Sequence, residues 1–497
     1  MRKYLSVALA VWIALFAIIS IVSGQEPVDR EINAKIRDEG LNHSRVYETF
    51  THFTEVIGPR LTGSPAHKAA ADYARDKLKE WGMTNAHLEP WEFGRGWELE
   101  KLTIEMVEPR YMPLLGYAEA WTSSTPNEIV ATPLFLGGKS PEEVAKVKDK
   151  IKGAIVMTQP MMTSFIREDR KQPTAYDTPV PIGAPTGNRG DATARANAQA
   201  LNRTITESQP AVILKTSIGE HGTVFIQGGR NTGQYATPSI ILAGEHYNMI
   251  ARMLELGVPV KLKVNLQTKF FEDDKNSYNV IAEIPGTDPA LKDEVVMIGG
   301  HLDSWHTATG ASDNADGAAA VMEAMRILMA IGARPKRTIR VGIWSGEEEG
   351  LYGSKAYVKS HLEGDANKTA REKMSVYLNI DPGTGPIYGF YMENNEAAKA
   401  IFDAWLEPFK DLKARRNIIQ GIGNTDHLSF LAPGIDIPAF NVIQDYTNYD
   451  VRMHHTNVDT FERVNEADLK QNAIVLASFA YQAAMRTEKI PFVKKQQ

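Results

Sequence analysis

The chain has 497 residues, a formal net charge of −6 and a pI near 6.1, so it carries no basic footprint for nucleic acid, which is set aside as a partner. It is too long for one ordinary domain, and two are expected. With no cysteine, it draws no stability from disulfides.

At the N-terminus, Arg2 and Lys3 precede an apolar run from Leu5 to Val22, and Val22 and Gly24 offer a small-residue cleavage site before Gln25. Residues 1–24 read as a signal peptide, which makes the mature chain secreted or periplasmic with no stable membrane insertion. Left uncleaved, the same run is nearly long enough to anchor the chain in a bilayer. Next, Ser64 and Pro65 followed by Ala70, Tyr73, Ala74, Leu78 and Trp81 at helical spacing, ending at Gly82, predict a capped helix that opens the larger domain. Composition changes near Pro126. Beyond it lie strand candidates at 153–157, 211–214, 223–226 and 238–242 and a helix at 247–256, with no catalytic pattern among them. Met161, Met162 and the scattered Trp residues read as packing.

Chemistry begins after Asn279. The apolar run 295–298 reads as a buried strand and ends in Gly-Gly-His301-Leu-Asp303-Ser, so His301 sits at a strand's C-terminal edge. Ligands bind at that edge of open α/β sheets, and Asp303 can reach behind His301 to orient its ring. Asp313, in Ser312 to Gly317, stands just before a helix running from Ala318 to Ala330. There it reads either as an N-cap or as a metal ligand, and a carboxylate oriented by backbone donors can serve as both. A strand at 339–344 leads into Glu347, Glu348 and Glu349, flanked by glycines that let the backbone turn sharply. Asp381 closes a further run at 376–380. His454 and His455 lie in a loop before the C-terminal helix. His306, His427 and His454 compete with their neighbours as ligands; His427 reads equally as crevice lining or as packing.

Taken together, GGHLDS at 299–304, SDNADG at 312–317, GEEEGLYGS at 346–354, NID at 379–381 and HHTNVDT at 454–460 resemble the M28 family of zinc exopeptidases. The likeness runs from about Ile57 to the C-terminus. It implies that Asp313 bridges two zinc ions per chain, that His301 and Asp381 complete one site, and that Glu348 and His455 complete the other. It further implies that Glu347 is the general base, and Asp303, behind His301, is counted with it among the catalytic residues. Three carboxylates leave one positive charge on two divalent ions, which a bridging hydroxide would neutralise. Nitrogen and oxygen ligands without thiolate suit zinc, and also cobalt or manganese. One departure from the family pattern is Asp316, where relatives often have a small residue.

The implied fold is an α/β three-layer sandwich with a mixed, largely parallel central sheet. Residues 30–129 and 270–497 would form the catalytic domain, and 130–269 a β-rich, protease-associated-like insert that either walls the cleft or acts as a spacer. The leading function is exopeptidase action on dipeptides or the terminal residues of short peptides; a homodimer fits the resemblance. The competing functions are glutaminyl cyclisation, which uses one metal, and a non-catalytic binding ectodomain, which would be expected to have lost ligands. Asp316 and Arg452 are candidates for binding a substrate's terminal amine or carboxylate, and this leaves aminopeptidase, carboxypeptidase and dipeptidase polarity open.

Overall fold

A computed structural model describes residues 26–175, 192–227 and 237–492. The expected signal peptide lies outside the described residues. Among those described, no helix is long and apolar enough to cross a membrane.

Alternating and continuous apolar runs build a seven-stranded sheet in the order Thr84–Glu92, Asn276–Ile284, Thr338–Trp344, Val295–His301, Met374–Asn379, Ala439–Asp445, Thr384–Tyr391. Its middle strands are parallel, with Val295 opposite Thr338 and His301 opposite Trp344 on one side and Tyr377 opposite Ala439 further along. The strands outside this group pair antiparallel at both ends. The sheet is therefore mixed, but parallel only in its middle. There, crossovers through helices cover both faces and every residue of Val295–His301 is buried.

Small side chains let helices pack closely on one face. The Ala-rich helix Asp316–Ala330 lies against Glu466–Met485, and both are almost wholly buried. Pro65–Glu80 joins them, its Ser64 Oγ accepting from the His67 N–H as the N-cap chemistry predicts. The opposite face is aromatic, with Trp344, Tyr357, Tyr377 and Phe430 in one cluster. Burying each such ring stabilises the layer by about 1.5–3 kcal/mol.

Two smaller sheets carry the rest. One holds Met112–Pro113, Gly96–Glu108, Lys261–Phe271 and Ile129–Ala131; the other holds Gly116–Ala118, Ser239–Leu242, Val212–Thr216, Ile155–Met157 and Leu134–Phe135. They share a core around Trp97, Trp121, Tyr247 and Leu262. Strands from Gly96 to Ala118 thus pair within these sheets, well before Val130. The expected strand at 223–226 does not form. Phe225 makes a single bridge to Thr456, because the Val224 N–H donates to Asn457 Oδ1 and the Ile226 N–H to the His455 carbonyl.

Candidate active site

His301 is the last residue of its strand, and Asp381 follows the adjacent parallel strand by two residues, so both reach the same C-terminal edge. From the neighbouring strand Thr338–Trp344 the chain turns at Gly346, which has φ +70° and packs so closely on Trp91 that a Cβ would fall 2.8 Å from its ring. That turn delivers Glu347 and Glu348 to the edge. Asp313 lies in the short π-helical segment Ala311–Ala315 but is itself non-helical, with φ −136° and ψ 81°. It caps no helix; instead its own N–H, with the N–H and Oγ of Ser312, donates to Asp459. Asp459 lies within the HHTNVDT motif, where nothing in the sequence assigns it a role.

These contacts turn the Asp313 carboxylate between two imidazoles. Its Oδ1 lies 3.4 Å from His301 Nε2 and its Oδ2 3.5 Å from His455 Nε2. Asp381 Oδ1 is 3.7 Å from His301 Nε2, and Glu348 Oε2 is 2.8 Å from His455 Nε2. The residues that resemblance singled out for the metals are therefore brought together. Two groups of close ligand atoms result, His301 with Glu347 and Asp381, and Asp313 with His454 and His455. His454 thus belongs by position to the second group, its ring tilted against that of His455 with centroids 3.8 Å apart.

The donor set fits a pair of cations. His301 Nε2, Asp313 Oδ2 and Glu348 Oε1 are buried without a hydrogen-bond partner, and such orphaned groups cost about 1–3 kcal/mol each unless something binds them. Burial, and then neighbouring carboxylates against the opposing pull of His301, push Glu347 and Glu348 well above the usual carboxylate range. Burial works against a charge on His301, yet Asp303, Asp313 and Asp381 outweigh it and raise its imidazole. Crowded acids and a raised His301 imidazole are what divalent charge would relieve.

Asp303 sits behind His301, but the His301 Nδ1–H donates to the Asp303 backbone carbonyl at 3.0 Å, while the nearer carboxylate oxygen is 3.6 Å away. The carboxylate's other oxygen accepts from Thr62 Oγ1 and the Glu348 N–H, which ties the two motifs together. Asp316 is fully buried and accepts from the Gly317 N–H, and burial, with the nearby Asp459 and Asp313 charges, pushes its carboxyl well above the usual carboxylate range. It does not border the cleft. Arg452 turns away to the Glu220 carbonyl, Thr223 and His221. His306 donates to the Ala118 carbonyl, and His427 pairs with Glu393 at 3.1 Å, so both serve packing.

Sequence reasoning missed how far the smaller sheets enter the site. Gln227 Nε2 lies 3.0 Å from His455 Nδ1. Arg170 forks onto Asp450 at 2.6 Å, with both side chains under a tenth exposed, and Asp169 accepts from the N–H groups of Asn448 and Val451. Only pairing distant in sequence reveals these contacts, and no local motif announces them. The resulting cleft, about 640 Å³, is bordered by the acidic cluster, His454, His455, Tyr449, Arg170 and Lys355.

Residues 279–480 match the model of Peptidase family M28. Human carboxypeptidase Q is 26% identical over 454 residues, 91% of this chain and 88% of that protein. Among solved structures, a Peptidase M28 precursor from Shewanella amazonensis aligns with a TM-score of 0.69 at 25% identity, covering 94% of this chain and 99% of that one. A zinc aminopeptidase from Bacillus subtilis shares the fold, with a TM-score of 0.58 at 16% identity over 90% of this chain and 96% of its own.

Proposed function

We propose that this chain, a member of peptidase family M28 through residues 279–480, is a two-zinc exopeptidase that hydrolyses dipeptides or the terminal residues of short peptides. The observation that carries this reading is the Asp313 carboxylate, with one oxygen toward His301 and the other toward His455. His301 and Asp381 would hold one ion, Glu348 and His455 the other, and Asp313 would join them. Bound there, a pair of divalent ions acidifies water and polarises the scissile carbonyl.

The chain's own residues account for the remaining steps. Glu347, half-buried on the cleft wall beside His301 and Asp381, accepts the attacking water's proton and returns it to the leaving amine, work typical of a positioned carboxylate. The Asp303 carbonyl keeps the His301 Nδ1–H in place, so that Nε2 faces inward. Arg60 is fully buried and donates to the carbonyls of Leu302, Thr309 and Gly310, which fixes the loop between His301 and Asp313. Residues 130–269 act in this reading as an insert that walls the cleft. Export through the N-terminal segment belongs to the same proposal, supported by Arg2, Lys3 and the apolar run that follows.

The test is hydrolysis of one dipeptide in free, N-acetylated and C-amidated forms, with bound metal counted in parallel. Loss of cleavage only on acetylation means an aminopeptidase, only on amidation a carboxypeptidase, and on both a dipeptidase. Protein that binds no zinc and cleaves none of the three refutes the proposal.

A further inference from the structure

A second cavity, about 500 Å³, lies between the smaller sheets and the His454–His455 loop. It shares Gln227, His454 and His455 with the catalytic cleft, so it opens beside the second half of the metal cluster. Its volume falls within the roughly 300–1,000 Å³ of small-ligand sites. Ile166, Ile218, Phe225 and Ile241 turn apolar surface toward it, and folding leaves all four incompletely buried, Ile218 at 39% exposure. A group of aliphatic and aromatic side chains left uncovered around a concavity points to an apolar occupant.

The charges on the lining are already matched. Lys215 Nζ lies 2.6 Å from Glu119 Oε2, which also accepts from Ser239 Oγ, and Asp450 is taken up by Arg170. A third charge entering beside either matched pair would be desolvated without a partner, which disfavours acidic and basic occupants.

We propose that this cavity receives a long apolar side chain of the substrate, carried by one of the two residues flanking the scissile bond. The proposal rests on the exopeptidase reading, since it is the shared His454–His455 wall that places the occupant next to the reacting bond. The residues that form the pocket come mainly from 119–241, so the smaller sheets set side-chain preference while the large sheet sets the chemistry.

The experiment compares kcat/KM for Gly-Gly, Leu-Gly, Gly-Leu, Phe-Gly, Gly-Phe, Lys-Gly and Gly-Asp, with metal content measured on the same protein. The wild-type chain is expected to favour an apolar residue at one position by at least about 10-fold over glycine and over either charged residue. Ile218→Trp fills the cavity from an exposed wall position and should bring that ratio to within about 3-fold of unity, with metal content unchanged. Ile218→Asp, which places an unmatched charge at the same point, should do likewise. A preference that survives both substitutions at full metal content overturns the pocket, as does a wild-type enzyme that cleaves all seven alike. A metal-loaded wild-type chain that cleaves none of them overturns the exopeptidase reading itself, and the pocket falls with it.

Discussion

The two halves of the proposed metal site are built differently. His301 is paired in the sheet as its strand's last residue, and Asp381 lies two residues beyond the adjacent parallel strand, just after the Ile380 N–H donates to the Gly299 carbonyl; their side chains are 0% and 6% exposed. His455 lies in a loop at φ +60°, a left-handed conformation that costs about 1 kcal/mol or more for a residue with a Cβ. Contacts distant in sequence hold it there: the Ile226 N–H on its carbonyl and Gln227, 228 residues away, on its ring. The sheet-edge half is therefore preformed by the catalytic fold, whereas the loop half depends on the smaller sheets. Metal affinity should differ between the halves accordingly.

The sharpest way to break this comparison is Asp313→Ala, which removes the one carboxylate facing both halves. Both ions should be lost and turnover should fall at least about 10³-fold; metal analysis of the purified variant checks it. Glu347→Gln should separate chemistry from binding, lowering kcat about 10²- to 10⁴-fold while metal content stays near two per chain. A variant with near-wild-type rates would remove Glu347 from its role.

Gln227→Ala addresses the loop half alone. The Gln227 amide lies against the Nδ1 side of the His455 ring and so fixes the direction in which Nε2 faces Asp313 and Glu348. Losing it should weaken one of two zinc affinities about 10- to 100-fold in calorimetric titration and leave the other unchanged.

The smallest expected effect concerns the junction between the sheets and the catalytic half. His306 is half-buried against Trp97 and the Ala118 carbonyl, and desolvation lowers its pKa to about 4. Because the unfolded imidazole binds a proton at higher pH than the folded one, the stability it contributes is fully present above pH 6.5 and is lost as pH falls toward 4. This loss reaches about 2 kcal/mol by pH 5. Denaturant unfolding at pH 7 and pH 5 should show this slope reduced in His306→Gln.

What could be read from sequence follows the same division. His301, Asp381 and the Glu347–Glu348 pair each follow a strand run whose periodicity is visible locally, so their shared edge can be inferred from the order of residues alone. Asp313 was legible as chemistry but not as conformation. Its position before a helix suggested a cap, whereas Asp459, 146 residues on, captures its N–H and turns the carboxylate inward. The segment 223–226 reads as a strand by composition and pairs with the catalytic loop instead, because its hydrogen-bonding partners at 455–457 are set by tertiary packing. Gln227, Arg170 and the apolar cavity had no motif at all. The parallel middle of the large sheet followed from the apolar runs and the family likeness, while its antiparallel margins depend on chain crossings that periodicity does not encode.

The most direct test of the account is calorimetric titration of metal-free protein with zinc. Two ions per chain binding with unequal affinities, both abolished in Asp313→Ala, is the expected result. One ion per chain, or two that persist without Asp313, would contradict a paired site joined by that carboxylate.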